Sequence, residues 1–385
     1  MKRIVILCVN LFLLASCTSG GSIDNSDSSG KLEMVATDGV SDSSGTVSFP
    51  ITIPSGASAV QFMAEASGVE LQLTSARGAG VDLLSSSVSE RSDATSRQVE
   101  VSSFNAPTLQ GGIPSGDYTL SYKITRDGGD EVASGVSVRL TRVTKRDGDL
   151  SSGVVRVNMI TVGPLAGSVP ALNDLEEALQ IAREMFQTVS LDLDVQWYGF
   201  EGGTQIPNPA IGSSFYETLS NNVRQNAVNV VIGTEVSSRT SSSKEIGVAG
   251  SIPGAILPSP KSAVAFGMLE VGGGDGRLDY DGEDSSRLFD DERRVAGEVM
   301  AQLIAKYLGL RPVVEFKGGL VSQSDRLADT VSCLTTADCE NEKQPRHNLM
   351  YPYVVRIQGD DKEVYPRNYI SPQQGALLQR SVLVD

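Results

Sequence analysis

The feature that most constrains this chain is a change of hydrophobic period near residue 150. Before it, apolar residues alternate with polar ones. Val47, Phe49, Ile51 and Ile53 are separated by Ser48, Pro50 and Thr52, and the same period recurs at Val60, Phe62 and Ala64 and at Val69, Leu71 and Leu73. It returns at Tyr118, Leu120, Tyr122 and Ile124, and at Val136, Val138 and Leu140. Period two puts every second side chain on one face of a strand. Pro54-Ser55-Gly56 and Pro114-Ser115-Gly116 supply turns between such strands. Residues 85–96 hold little apolar content and read as a long loop. The pattern predicts an all-β sandwich.

After a polar, glycine-containing stretch at residues 145–153, the period becomes mixed. Strand-like runs at 154–162, 191–198, 228–232 and 263–268 alternate with helical patterns at 172–186, 215–223 and 287–310. In the first helix Leu172, Leu175, Leu179, Ala182 and Phe186 share a face, and Asn173 or Asp174 is the expected cap. The longest helix lines up Val295, Val299, Leu303, Tyr307 and Leu310; Gly309 and Pro312 mark its end. Strands interleaved with helices imply an α/β (α+β) layer fold. The chain therefore reads as multidomain: a sandwich over residues 36–148 and an α/β domain over 149–385.

The N-terminus carries a different signal. Lys2 and Arg3 precede an apolar run at residues 4–14, broken only by Asn10. The run is too short to span a bilayer, which takes roughly 20 residues. It fits an export signal over residues 1–17. Leu14-Ala15-Ser16-Cys17 has the form of a lipobox, two small residues before a cysteine that accepts lipid. The expected product is a lipoprotein anchored to the membrane through Cys17; an ordinary signal with an incidental cysteine is the alternative. Residues 18–35, rich in Ser, Gly, Asn and Asp, suit a flexible tether. Thr18, rather than an aspartate, after the cysteine fits sorting to an outer membrane and so a cell-envelope location.

A formal charge of −15 argues against a nucleic-acid partner held by phosphate contacts. Part of this charge sits at Asp275, Asp279, Asp281, Glu283, Asp284, Asp290 and Asp291. Oxygen-rich runs can hold calcium, but the EF-hand spacing is not matched. A solvated loop leading into the next helix is the preferred reading of the run. Cys333 and Cys339 lie close together in an exported chain and read as a disulfide, with a two-cysteine metal site as the alternative. The single histidine, His347, excludes a multi-histidine metal site. It lies among charged and polar residues, with no nucleophile–base pair assignable to it.

Several motifs, in order, carry a family likeness. They are Met300-Ala301-Gln302-Leu303-Ile304-Ala305-Lys306-Tyr307-Leu308-Gly309-Leu310, Glu315, the Asp325–Thr330 stretch, Asn348-Leu349-Met350-Tyr351-Pro352, and Ser371-Pro372-Gln373-Gln374. This order resembles metzincin-type zinc peptidases, with an active-site helix, a Met-turn centred here on Met350, and a last helix. The likeness implies a peptidase-like α/β domain behind the sandwich. The chain departs from the family at the metal. Aligned on Gly309, the motif H-E-x-x-H-x-x-G-x-x-H places its ligands at Gln302, Lys306 and Pro312 and its general base at Leu303. Zinc takes imidazole, thiolate or carboxylate donors, and without it no water is activated.

The expected function is therefore an inactive, metallopeptidase-like envelope lipoprotein, with no metal, no cofactor and no catalytic residue. It would bind a peptide, protein or glycan at the cell surface. The alternatives are a metal-independent hydrolase reusing the cleft and a purely structural lipoprotein. Lys306, one helical turn after Gln302, is a candidate to fill the lost metal's space by pairing with Glu315, Asp325 or Asp329; extension into solvent is the other reading.

Overall fold

The computed structural model describes residues 32–84, 97–106, 113–126, 128–146, 150–237, 246–268, 290–317, 320–325, 327–330, 333, 335–341, 343–352 and 366–385. Cys17 and its signal, the loop at 85–96 and the acidic stretch through residue 289 lie outside the described residues.

The N-terminal unit comprises β1 (Leu32–Val40), β2 (Thr46–Ile53), β3 (Ala57–Gly78), β4 (Val81–Asp82), β5 (Gln98–Asn105), β6 (Gly116–Arg126) and β7 (Ser137–Arg146). The alternation is realised in β2, where Val47, Phe49 and Ile53 are buried while Ser48, Pro50 and Thr52 face out. Pro50 is tolerated because β2 ends the sheet order. Among the described residues these strands form one antiparallel sheet of seven, ordered β1-β7-β3-β6-β2, with β4 and β5 also on β3. β3 makes this possible. Its first half pairs with β7 and β5, its second half with β6. The register with β5 shifts between Glu65 and Glu70, around Gly68 at φ +69°. The sheet curls until its ends meet: a Cβ on Gly39 of β1 would lie 2.8 Å from Val47 and 2.9 Å from Phe49. Phe62 and Phe104 stack inside at 6.2 Å, and Phe49 meets Tyr122 edge-on at 6.4 Å.

β1 begins at Leu32, inside the stretch expected as tether, because Leu32 pairs with Lys145 and packs with Met34 on the second unit's core.

That second unit opens with β8 (Gly153–Val162), α1 (Val169–Gln187), β9 (Leu191–Phe200) and β10 (Gln205–Ile206). Then come α2 (Ser214–Asn221), β11 (Val228–Gly233), β12 (Glu235–Val236), β13 (Gly247–Ala249) and β14 (Val264–Gly267). The long helix α3 (Asp290–Leu308) precedes a hairpin, β15 (Val314–Lys317) with β16 (Leu320–Ser324). Short helices α4 (Thr336–Asn341), α5 (Lys343–His347) and α6 (Pro372–Gln379) complete it. The sheet order is β13-β14-β11-β8-β9, parallel except for β13. Helices cover both faces, so β11 (VNVVIG) is buried throughout, as a central parallel strand must be.

α1 starts one turn earlier than expected. Ser168 caps it, with Pro170 in the first turn, and Asp174 is instead buried at 3.2 Å from Arg293 of α3. The two helices cross where Gly297 leaves room; a Cβ there would sit 2.5 Å from Ala178 O. α3 stops at Gly309, whose φ is +118°. Its N–H bonds Ala305 O and Lys306 O.

The two units share a buried contact. Met63 and Val101 pack on Ala255 and Leu257. Gln61 donates to Gly254 O at 3.1 Å, Asn105 reaches Leu308 O at 3.4 Å, and the buried Lys145 ammonium donates to Val384 O.

Candidate functional site

The site is built on α3, a helix whose residues are buried on almost every side. Leu303, at the general-base position, is 1% exposed. It lies against β13: a Cβ on Gly247 would come within 2.7 Å of it. Tyr307 is buried as well, donating to Ala255 O and, with its own carbonyl, accepting from Gly254 N. Burial pushes its phenol well above the ordinary range.

Glu298, Gln302 and Lys306 follow one another at four-residue spacing and share a face of the helix. Gln302 is 5% exposed, and its amide nitrogen donates to two backbone carbonyls, Leu349 O at 2.9 Å and Tyr351 O at 2.7 Å. These carbonyls flank Met350, which is buried and whose own carbonyl accepts from Val313 N. The segment 349–351 thus lies against α3 through Gln302.

The turn is held from its other side by a buried amide network. Asn348 Oδ1 accepts from Met350 N at 2.8 Å. Asn348 Nδ2 donates to Gln374 Oε1 at 3.0 Å, and Gln374 reaches Asp325. Gln374 also completes a capping box with Ser371 at the start of α6. Asp325 accepts from Leu327 N and Thr330 Oγ1, and burial raises its pKa above the usual carboxylate value against the pull of those hydrogen bonds. Asp329 accepts from Ser371 Oγ and Gln373 N. Asp325 and Asp329, offered as partners for Lys306, thus serve the turn and α6. Glu315 accepts from Arg311 at 3.4 Å. Lys306 and Pro312 are half-buried.

A second buried group pairs α3 with an arginine that the sequence did not mark. Glu298 (1% exposed) lies 2.9 Å from Arg294 and 3.6 Å from Arg367, itself 2% exposed. Arg367 Nη1 donates to Tyr351 O at 3.2 Å. Burial pushes the guanidinium below its ordinary range, and Glu298 opposes that shift. Glu298 was detectable as a lone carboxylate in an apolar stretch of helix; nothing local marks Arg367.

Cys333 and Cys339 form a disulfide with Cα atoms 5.3 Å apart, which removes the two-cysteine metal site. His347 is half-buried at the end of α5, its carbonyl accepting from Tyr369 N. Zinc would need donor lone pairs at about 2.0–2.3 Å. At the aligned positions stand an amide nitrogen turned to two carbonyls, an ammonium and an imino acid. Among the described residues no three His, Cys, Asp or Glu side chains gather to hold a metal. The donor set does not fit zinc.

No protein-family model matches the chain, and no curated protein matches it. Among solved structures it is similar to metalloproteinase-II from Bacteroides fragilis, with a TM-score of 0.34 and 11% identity over 63% of this chain and 62% of that one. The chain therefore spans under two thirds of that protein's length. It is also similar to archaemetzincin from Methanopyrus kandleri, with a TM-score of 0.33 and 9% identity over 59% of this chain and 95% of that one. At TM-scores this low the likeness carries no argument of its own.

Proposed function

We propose that this chain is a lipid-anchored envelope protein whose metallopeptidase-like domain has exchanged catalysis for binding. The observation that carries the reading is Gln302. At the position aligned with the first zinc ligand stands an amide whose nitrogen is engaged by Leu349 O and Tyr351 O. Leu303, at the position of the general base, belongs to the core. The same helix and turn that would frame a peptide in an active relative remain, and their occupant here is a peptide, protein or glycan. The curled β unit, from Leu32 of β1 to Arg146 of β7, stands between this domain over 149–385 and the tether that precedes Leu32. Lipid on Cys17 holds the whole at the membrane, with the outer membrane as its location.

Purified mature protein is expected to carry no stoichiometric zinc and to leave unfolded protein substrates intact. One tightly bound zinc per chain, lost when Gln302 or Lys306 is substituted, would overturn the proposal. Anchoring is checked separately: a Cys17→Ser chain should leave the membrane fraction.

A further inference from the structure

The segment that follows α6 lies in the seam between the two units. Ser381, Val382, Leu383 and Val384 are buried, and the last three belong to the same apolar core as Ala59 and Val143 of the β unit. Val382 and Arg380 face Val60 and Asn105 across a gap of 20 Å³, room for roughly one water. On its other side the segment joins the α/β domain. Val384 pairs antiparallel with Val155, and Val154 and Asp385 exchange two backbone hydrogen bonds at 3.0 Å. It occupies the start of β8, ahead of β11, whose pairing with β8 begins at Val157. The Asp385 carboxylate lies 2.7 Å from Arg156. Gly153 makes the room: a Cβ there would lie 2.3 Å from Val384 Cγ1 and 2.9 Å from Asp385 O. From the β unit, the Lys145 ammonium of β7, 1% exposed, donates to Val384 O. An ammonium withdrawn from water needs such hydrogen bonds to offset its desolvation, so this contact resists separation of the units. Leu32, the first residue of β1, pairs with Lys145, so the N-terminal strand meets the segment at the same point.

We infer that residues 381–385 are a strap that fastens the β unit to the α/β domain, with the Lys145 ammonium as its catch, so that the two units turn as one body. The strap adds to the contacts of Met63 and Val101 with Ala255 and Leu257, and it differs from them in kind. It lies outside the named strands and helices of both units and is held by each of them. A segment of this sort can leave by local opening without dismantling either sheet, so its docking decides whether the seam is rigid. The inference does not depend on whether the domain holds zinc. It adds to the proposed binding role a fixed presentation, in which the surface of the α/β domain keeps one orientation relative to β1.

Hydrogen exchange followed by mass spectrometry tests this, comparing the parent with Gly153→Ala, with Lys145→Met and with a chain stopped after Arg380. Gly153→Ala displaces the strap without shortening the chain, and it serves as the readout should the shortened chain fail to fold. The informative amides are those of residues 254–257, which sit at the seam against Met63 and Val101. The strap predicts that both strap variants speed exchange there about tenfold or more, as the loss of several hydrogen bonds of roughly 1 kcal/mol each allows. Strands 118–124 and 228–233, one inside each unit, should keep the parent's rate. Lys145→Met should speed exchange at 254–257 by a smaller factor, since the backbone pairing with β8 remains. Exchange at 254–257 that keeps the parent's rate in Gly153→Ala and in the shortened chain would overturn the strap. Acceleration that is equal at 254–257 and at 228–233 would also overturn it, because the segment would then be an ordinary part of the α/β core. The parent's rate in Lys145→Met alone would remove the lysine from the fastening.

Discussion

Replacing Glu298 by glutamine keeps the shape of the side chain and removes its charge. Glu298 and Arg367 are 1% and 2% exposed, and their charged groups lie 3.6 Å apart. Breaking such a pair from one side leaves the other charge desolvated without a counter-ion, which costs about 3–5 kcal/mol. Arg294 contributes little to the total, because its side chain is 25% exposed and can return to water, as exposed pairs do for roughly 0–1 kcal/mol. Hydrogen bonding from Arg367 to Tyr351 O survives the change, so the loss is chiefly electrostatic. Urea unfolding is the assay, followed through Trp197, the only tryptophan. It reports on the second unit because it lies on β9 and donates to Glu176 of α1 at 2.9 Å. The expected result for Glu298→Gln is a loss of about 3–5 kcal/mol. The double variant Glu298→Met/Arg367→Met should lose less than the single one, since apolar replacement of both partners is often neutral or better. A Glu298→Gln protein within about 0.5 kcal/mol of the parent, the range of ordinary surface changes, would refute the reasoning. It would mean that the guanidinium has another anion or is reached by solvent.

Three further outcomes are expected. Asp325 has a pKa raised above 3.8 by burial, so it favours its protonated form in the fold; the stability it contributes is complete below the unfolded value and is lost as pH rises through the folded one. The parent should therefore lose ground to Asp325→Asn in denaturant titrations as pH rises from 3 to 7, and a constant difference would refute the assignment. The Glu65 carboxyl is likewise raised, first by burial and further by Glu217 across the two units, with Arg139 opposing; Glu217→Gln should move it toward the ordinary range in a carboxyl NMR titration, and an unmoved value would argue against the contact. Reducing Cys333–Cys339 should cost roughly 2–3 kcal/mol for so short a loop, while alkylation of both thiols in the denatured, unreduced protein would show the bond to be absent.

Local chemistry was enough to determine much of this protein from the sequence. The period-two runs became strands and the longest amphipathic stretch became α3, because burial on one face needs nothing beyond the spacing of apolar residues. Gly309 ended the helix and Ser371 opened the last one, because caps are satisfied within a turn of chain. The residue types at 302, 303, 306 and 312 were also plain, and a proline or leucine cannot become a ligand in any fold. Tertiary structure alone decided what those residues do instead. Gln302 meets carbonyls far along the chain, and Glu298 meets an arginine that no periodicity marks. β3 joins both halves of one curled sheet where alternation suggested separate short strands, because a pleated run looks the same whether it pairs with one neighbour or four. The physical reason is common to all of these: hydrophobic patterning records which face is buried, whereas a hydrogen bond or ion pair needs a specific partner, and only the folded chain brings that partner within reach.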